Sequence, residues 1–192
     1  MYKIAIVKER IRVPPEKLNM KVTDAVKAAI ADQYEGVMDQ RIGIIVSVVS
    51  IDEVQEGRIM PNDPGVFYNT TFKLLTFKPE LQELVNGEVI DNTEFGSFVR
   101  IGPLDGLIHI SQIMDDFVSF DDKNSVFLGK ESKRTLKEGD LVRARIISAS
   151  FGKENKIGLT MRQTGLGGID WLDSEKKKVA KKETKKETKK SK

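Results

Sequence analysis

The sequence predicts an α+β protein: an N-terminal β-α-β-β domain, a C-terminal barrel of five short strands, and a Lys-rich tail. Three observations predict it. One helical stripe occurs between residues 22 and 34, flanked by strand-like apolar runs. From about residue 84, short apolar runs are separated at close intervals by Gly, Pro and Asp. At Ser174 the composition changes abruptly: the last 19 residues hold ten Lys and three Glu, while the other 173 of the 192 hold 22 basic and 26 acidic side chains. The whole chain is +3, yet the part able to fold is −4. A uniformly basic nucleic-acid clamp is thereby excluded, and any nucleic-acid contact must be local.

Tyr2 to Val13 reads as a strand, with Ile4, Ile6 and Ile11 set among Lys and Arg, and Pro14-Pro15 ends it. Val22, Val26, Ala29, Ile30 and Tyr34 lie on one face of a 3.6-residue period and predict a helix. Thr23 and Asp24 favour its first turn, and Gly36 falls where a C-terminal cap belongs. Gly43 to Val54, rich in Ile and Val, and Val66 to Phe77, with Phe67, Phe72, Leu74 and Phe77, read as two further strands. Between them runs Gln-Glu-Gly-Arg-Ile-Met-Pro-Asn-Asp-Pro-Gly (55–65), dense in turn formers. Lys78-Pro79-Glu80 closes this first domain, expected over 1–80.

The second domain is expected over 81–173. Gly87 to Asn92, Ser97 to Ile101 and Gly106 to Ile110 are short strands; a polar stretch from Asp115 to Glu138 separates them from Asp140 to Ser150 and Lys156 to Met161. Five short strands with a long insertion before the fourth predict a small barrel rather than a sandwich. Trp171 and Leu172 should dock on this body, because large apolar side chains are costly left in water. Residues 174–192 repeat Lys-Lys-Glu-Thr at 181–184 and 185–188, with Val179-Ala180 their one apolar pair. They cannot bury enough surface to offset chain ordering, so disorder is expected. As a function, this tail fits either a solubilising segment or salt-sensitive attraction to RNA or DNA.

Several function classes fall away. With no Cys there is no disulfide framework, thiolate metal site or Cys nucleophile, and the single His109 cannot build a multi-histidine centre. No run of about 18 apolar residues spans a membrane, and the N-terminus lacks a secretory core, so a soluble intracellular chain is expected. Gly129-Lys130 lacks the upstream Gly and following Ser or Thr of a phosphate loop, and Gly165-Leu-Gly-Gly lacks the third glycine of a dinucleotide loop. Asp115-Asp116 and Asp121-Asp122 lack calcium-loop spacing and fit a solvated acidic loop. No Gly-x-Ser-x-Gly elbow accompanies His109. No catalytic constellation, metal site or cofactor site is expected.

A binding surface is better supported. In Glu94-Phe95-Gly96-Ser97-Phe98-Val99-Arg100-Ile101 two rings flank a Gly-Ser pair, and a bend at Gly96 that shifts the register would set Phe95 and Phe98 on one outer face. Exposed rings beside cations suit single-stranded nucleic acid: bases stack on the rings and Arg or Lys meets phosphate. His109 lies at a strand end close by in sequence, beside Leu107 and Ile110, which read as core. Each residue alone also fits a bland role, as a core Phe or a hydrogen-bonded structural His. Lys130, Lys133, Arg134, Lys137, Arg143 and Arg145 gather positive charge in an acidic domain, fitting a phosphate-facing patch or a solvated loop equally. Arg143 and Arg145 alternate with Val142 and Ala144 and so share a strand face.

Gly87-Glu-Val, Glu94-Phe-Gly-Ser-Phe-Val, Gly106-Leu-Ile-His-Ile-Ser and Gly139-Asp-Leu-Val, in this order, resemble the S1-type RNA-binding domain, a five-stranded OB barrel. The resemblance implies RNA-facing roles for Phe95, Phe98 and His109, joined by Arg100, Arg143 and Arg145. The family's Asp and Arg before the last strand are replaced by Phe-Gly-Lys-Glu-Asn-Lys (151–156), with Lys156 in the place of the Arg. Tyr34-Glu-Gly, Gly57-Arg-Ile-Met-Pro, Phe77-Lys-Pro-Glu, Ser111-Gln-Ile-Met-Asp-Asp, Val142-Arg-Ala-Arg-Ile and Leu159-Thr-Met-Arg-Gln extend the likeness over residues 1 to 172. Together they resemble the larger of the two stalk proteins of archaeal RNA polymerase, known as E-prime. That resemblance implies a non-catalytic subunit with a tip domain and an S1-type barrel. It implies a small helical partner, docking on the polymerase core, contact with exiting single-stranded RNA, and a cytoplasmic, nucleoid-associated location. Gly57, Ile59, Met60, Pro61 and Gly65 would form the docking tip, with Pro64 fixing its local φ. The alternative is a free S1-type module acting in RNA decay or translation.

Overall fold

The computed structural model describes residues 1–150 and 156–174 and divides into two compact units, Met1–Pro79 and a second beginning at Glu80. In the first unit, strand β1 (Tyr2–Val13) is followed by helix α1 (Val22–Tyr34), then β2 (Met38–Asp39), β3 (Gly43–Val54), β4 (Arg58–Ile59) and β5 (Val66–Phe77). The sheet order is β1-β5-β3-β2, with β4 added to β5 and every pairing antiparallel. Helix α1 buries Ala25, Val26, Ala29 and Ile30 against Ile11, Val13, Ile45, Val48, Phe72 and Leu74. Burying a large apolar side chain contributes about 1.5–3 kcal/mol, so this one face organises the unit. Gly36, just past the helix, takes φ +79, the left-handed geometry that a C-terminal cap requires.

The helix stripe differs from the expected one at its first residue. Val22 is exposed and Ala25 is buried in its stead, because the stripe begins one residue after Asp24 rather than at the first turn. The first strand spans Tyr2–Val13 as expected, and its apolar residues divide between its two faces. Ile11 lies in the core, but Ile4 is 61% and Ile6 67% exposed, on the opposite face of β1 together with Tyr2.

In the second unit, β6 (Leu84–Thr93), β7 (Gly96–Arg100), β8 (Asp105–His109), β12 (Leu141–Ser150) and β13 (Lys156–Thr160) form the five-stranded OB-like barrel that the sequence predicts. β6, β7 and β8 run as an antiparallel meander, and β12 pairs with β6 on the other side. β13 closes the barrel by pairing antiparallel with β12 and parallel with β8. Val89, Val99, Ile108, Val142, Ile146 and Leu159 fill the interior.

The polar insertion is itself folded. β9 (Val118–Asp121), β10 (Val126–Gly129) and β11 (Thr135–Leu136) make a separate three-stranded sheet. Phe127 and Leu136 are fully buried, and Phe120 packs on Phe127 at 5.0 Å between ring centroids. Asn92 of β6 ties it to the barrel by donating to the carbonyls of Ser125 (2.9 Å) and Leu136 (3.4 Å). Trp171 docks as expected: its Nε1 donates to the Thr135 carbonyl at 3.2 Å, and Leu172 is buried. Its ring lies against β14 (Gly167–Gly168), where a Cβ on Gly168 would come within 3.0 Å of the indole. Ser174, expected in the tail, belongs to a helical turn over 169–174, its hydroxyl donating to the Asp170 carbonyl. Residues 151–155 and those from 175 on, where disorder is expected, lie outside the described residues. Among the described residues, no helix is long and apolar enough to cross a membrane.

Candidate nucleic-acid interface

The aromatic pair lies outside the barrel. Alternation along β7 sends Ser97 and Val99 inward and Phe98 outward. Phe95 sits in the preceding turn, 51% exposed, with its carbonyl accepting the Ile110 N–H at 3.0 Å. The two rings meet edge to face, 5.9 Å between centroids. The expected bend at Gly96 is absent: β7 pairs with β8 in continuous register, and the bulge lies in β6, at Ile90 between Val89 and Asp91. Gly96 serves close approach instead. A Cβ there would lie 2.2 Å from the Ile108 carbonyl oxygen and 3.1 Å from His109 Cα.

An open groove of about 670 Å³ runs beside these strands, lined by Phe98, Leu107, His109, Ile147, Lys156, Ile157 and Leu159 among others. His109 ends β8 and caps the following 3-10 turn: Nδ1 accepts the Ser111 N–H at 3.3 Å and meets Ser111 Oγ at 2.9 Å. With Nδ1 accepting, the neutral imidazole carries its proton on Nε2, leaving a donor at the ring's far edge. The groove therefore offers one ring face, apolar walls, one imidazole donor and one ammonium group. Such a set has the chemistry to stack a base, hydrogen-bond its edge and meet a phosphate.

The structure gathers only some of the expected residues here. Phe98, His109 and Lys156 line the groove, and Phe95 adjoins it through Phe98. Arg100 does not join them. It sits at the other end of β7, paired with Asp105 at 3.4 Å, in a recess lined by Glu88 and Glu138. Arg143 and Arg145 share the outer face of β12, as their alternation requires, and lie outside the groove. Arg143 Nε donates to Asn86 Oδ1 at 3.2 Å; Arg145 Nε is buried with no hydrogen-bond partner among the described residues. Of the apolar walls, Leu107 reads as core from the sequence but is half-buried and faces the groove, and Ile147 is not singled out there. Their outward alternation opposite buried neighbours was the available signal.

The 55–65 segment of the first unit is a structured tip rather than a loose connection. Arg58 and Ile59 pair with Phe67 and Val66, leaving Ile59 76% exposed. Asp63 holds the turn: it forms a forked ion pair with Arg12, both contacts at 2.8 Å, and accepts the Gly65 N–H at 2.8 Å. The Arg12 hydrogen bond, then the Gly65 amide, draw the Asp63 carboxyl down to about 2. Ile59 and Pro61 are exposed and Met60 half-buried, whereas Gly65 is buried, within 3.0 Å of the Val13 carbonyl at a Cβ position. Gly57 is exposed but lies under the Tyr68 ring. The two glycines shape the tip and the apolar residues form its surface.

Among the described residues no group of three or more His, Asp or Glu is placed to hold a metal ion. An OB barrel with a ring-bearing groove, following an α+β unit with a stapled tip, defines a protein of the S1 class carrying an added N-terminal module. Residues 78–161 match the S1 RNA binding domain, and residues 8–64 match the SHS2 domain found in the N terminus of Rpb7p and Rpc25p. DNA-directed RNA polymerase subunit Rpo7 of Sulfolobus acidocaldarius is 36% identical over 94% of this chain and 100% of its own. The Rpo7 of Saccharolobus solfataricus is 33% identical over 92% and 100%. Subunit RPB7 of Saccharomyces cerevisiae RNA polymerase II is 27% identical over 54% and 62%. The chain belongs to the Rpo7 family, the stalk subunits of DNA-directed RNA polymerase.

Proposed function

We propose that this stalk subunit, itself non-catalytic, binds single-stranded nascent RNA in the barrel groove while its first unit anchors it to the polymerase. One observation carries the RNA reading: Phe98, His109 and Lys156, far apart in sequence, converge on one open groove with Phe95 at its edge. Ile59, Met60 and Pro61 dock on the core enzyme; the Arg12–Asp63 staple pre-shapes the turn that presents them, which lowers the entropic cost of docking. A small helical subunit covers the outer face of the first sheet, where Tyr2, Ile4 and Ile6 stand exposed on the side opposite α1. Apolar residues in that number on one face favour burial by a partner. The protein works in the cytoplasm, on nucleoid-bound polymerase.

Affinity purification of the native protein tests the assembly. The expected result is recovery of a small helical subunit with the large core subunits; recovery without either supports a free S1-type module in RNA decay or translation. Replacement of Phe98 by Ala is expected to weaken single-stranded RNA binding by about 1–3 kcal/mol, the usual worth of one base–aromatic stack. Unchanged affinity would remove RNA from the groove.

A further inference from the structure

We propose a second nucleic-acid contact at the other end of β12 from the groove, a cationic corner that holds phosphates rather than bases. The proposal deepens the reading that the barrel binds single-stranded RNA and rests on it. β12 links the two places. Val142, Ala144 and Ile146 point into the core, and Leu141, Arg143, Arg145 and Ile147 point outward. Ile147 lines the ring-bearing groove. Leu141, six residues earlier and about 20 Å away at the rise of a strand, lines a separate recess of about 350 Å³. Between them Arg143 and Arg145 form a stepping row of guanidinium groups on the same face.

The recess is walled by Lys133, Arg134, Lys137 and Trp171, with Asp140 and Asp170 as its acidic members. Its basic loop is built rather than loose. The Asp116 carboxylate accepts the N–H groups of Glu131 (3.0 Å) and Ser132 (2.9 Å) and the Ser132 hydroxyl (2.8 Å). Gly129 N–H donates to the Arg134 carbonyl at 2.9 Å, and Lys133 is held at φ +55. Arg134 lies 5.6 Å over the Trp171 ring, which is held by its Nε1 bond to the Thr135 carbonyl and lies close to Gly167 and Gly168. A solvated charged loop needs none of these restraints. Cations carried on a fixed backbone lose less entropy on meeting an anion than those on a loose loop do.

With Arg134 over the ring and Gly167 and Gly168 close to it, little of it is left for a base to stack on. What remains for a ligand is positive charge, and the phosphodiester backbone is the anion that the adjoining groove would already deliver. Ser174 also lines the recess, and the sequence that follows it holds ten Lys and three Glu. That charge favours a polyanion over a single acidic group.

The test measures binding of the full-length chain to unstructured RNA of about 4 and about 16 nucleotides, the range that one OB fold occupies. The variants are Lys133→Gln/Lys137→Gln, at two exposed positions, the same pair with Arg134→Gln, and Phe98→Ala. Far-UV circular dichroism checks folding. The triple variant is expected to leave the short RNA within about twofold and to weaken the long RNA at least about tenfold at 0.1 M salt. Its plot of log K against log salt should flatten by about 2, at about 0.7 per lost phosphate contact on single strands. The double variant should show part of both effects. An equal loss for both lengths, or none for the long RNA, overturns the proposal. So does displacement of the long RNA by poly-glutamate as readily as by unlabelled RNA, which would make the corner a protein site. Failure of the groove reading is seen separately, as an unchanged short-RNA affinity in Phe98→Ala.

Discussion

Gly96→Ala tests how the groove is built. Gly96 pairs with His109 at the first step of the β7–β8 ladder, and an added methyl would meet the Ile108 carbonyl oxygen at 2.2 Å and His109 Cα at 3.1 Å. Both neighbours are backbone, so no rotamer change relieves the overlap and the two strands must part. Overpacking of this kind costs about 1–3 kcal/mol, and weakening one ladder hydrogen bond adds about 1 kcal/mol. The expected destabilisation of about 2–4 kcal/mol lowers Tm by about 10–25 °C for a domain of this size. Trp171 is the single Trp and lies in this unit, so its fluorescence follows the barrel selectively. Parting the strands also moves His109 away from Phe98, so RNA affinity should fall at temperatures where the variant is still folded. Gly139→Ala is the contrast: φ is +83 but nothing lies within 4 Å, so it costs about 1–2 kcal/mol of backbone strain and leaves RNA binding intact. A Gly96→Ala protein melting within about 2 °C of the parent would refute the close-approach argument.

Phe72→Ala removes a fully buried ring under α1 and should cost about 3–5 kcal/mol, read as a lower denaturant midpoint by far-UV circular dichroism. Asp63→Ala should free the tip, so that limited proteolysis cuts near residues 60–65 while the remaining hydrogen-exchange protection is kept; an uncut tip would deny the staple its role. Because the Asp63 carboxyl is drawn down from 3.8 to about 2, its contribution is fully present above pH 4 and is lost as pH falls through 2. The Gly65 amide should therefore stay protected at pH 3. Asp116 is lowered chiefly by the Ser132 amide, and Asp116→Ala should speed amide exchange at Glu131 and Ser132 at neutral pH.

Much of the fold was legible because it rests on short-range pattern. The helix stripe, the five barrel strands and the docking of Trp171 follow from periodicity and from the cost of wet apolar surface. Parity could also have separated Ile4 and Ile6 from Ile11, since residues an odd number apart face opposite sides of a strand. The insertion was opaque for a different reason. Its strands are two to four residues long, and its core is three residues, Phe120, Phe127 and Leu136, dispersed among polar ones. At the site, sequence proximity was a poor guide. Arg100 is five residues from Phe95 yet at the opposite end of β7, whereas Lys156 and Ile147 reach the groove only through barrel closure. The staples were hidden too: Arg12 and Asp63 are 51 residues apart, and Asp116 and Ser132 are 16 apart.

The outward faces of the two units differ in kind, and that difference argues for division of labour. Among the described residues β1 is an edge strand with one side unpaired, and its exposed face carries Tyr2, Ile4 and Ile6, continuing into Lys8 and Arg10. An apolar, open edge is the feature that proteins working alone normally blunt, because it invites pairing with other chains. The outward faces of the barrel carry charge and rings: Arg143 and Arg145 along β12, and Phe98, His109 and Lys156 at the groove. Such a surface suits a mobile polyanion and repels the packing that an apolar edge attracts. A free RNA-binding module would need the second surface and be harmed by the first. A subunit held in a larger assembly needs both, one to be held and one to hold a strand. The unpaired edge of β1 thus weighs as heavily for a life inside the polymerase as the groove does for RNA.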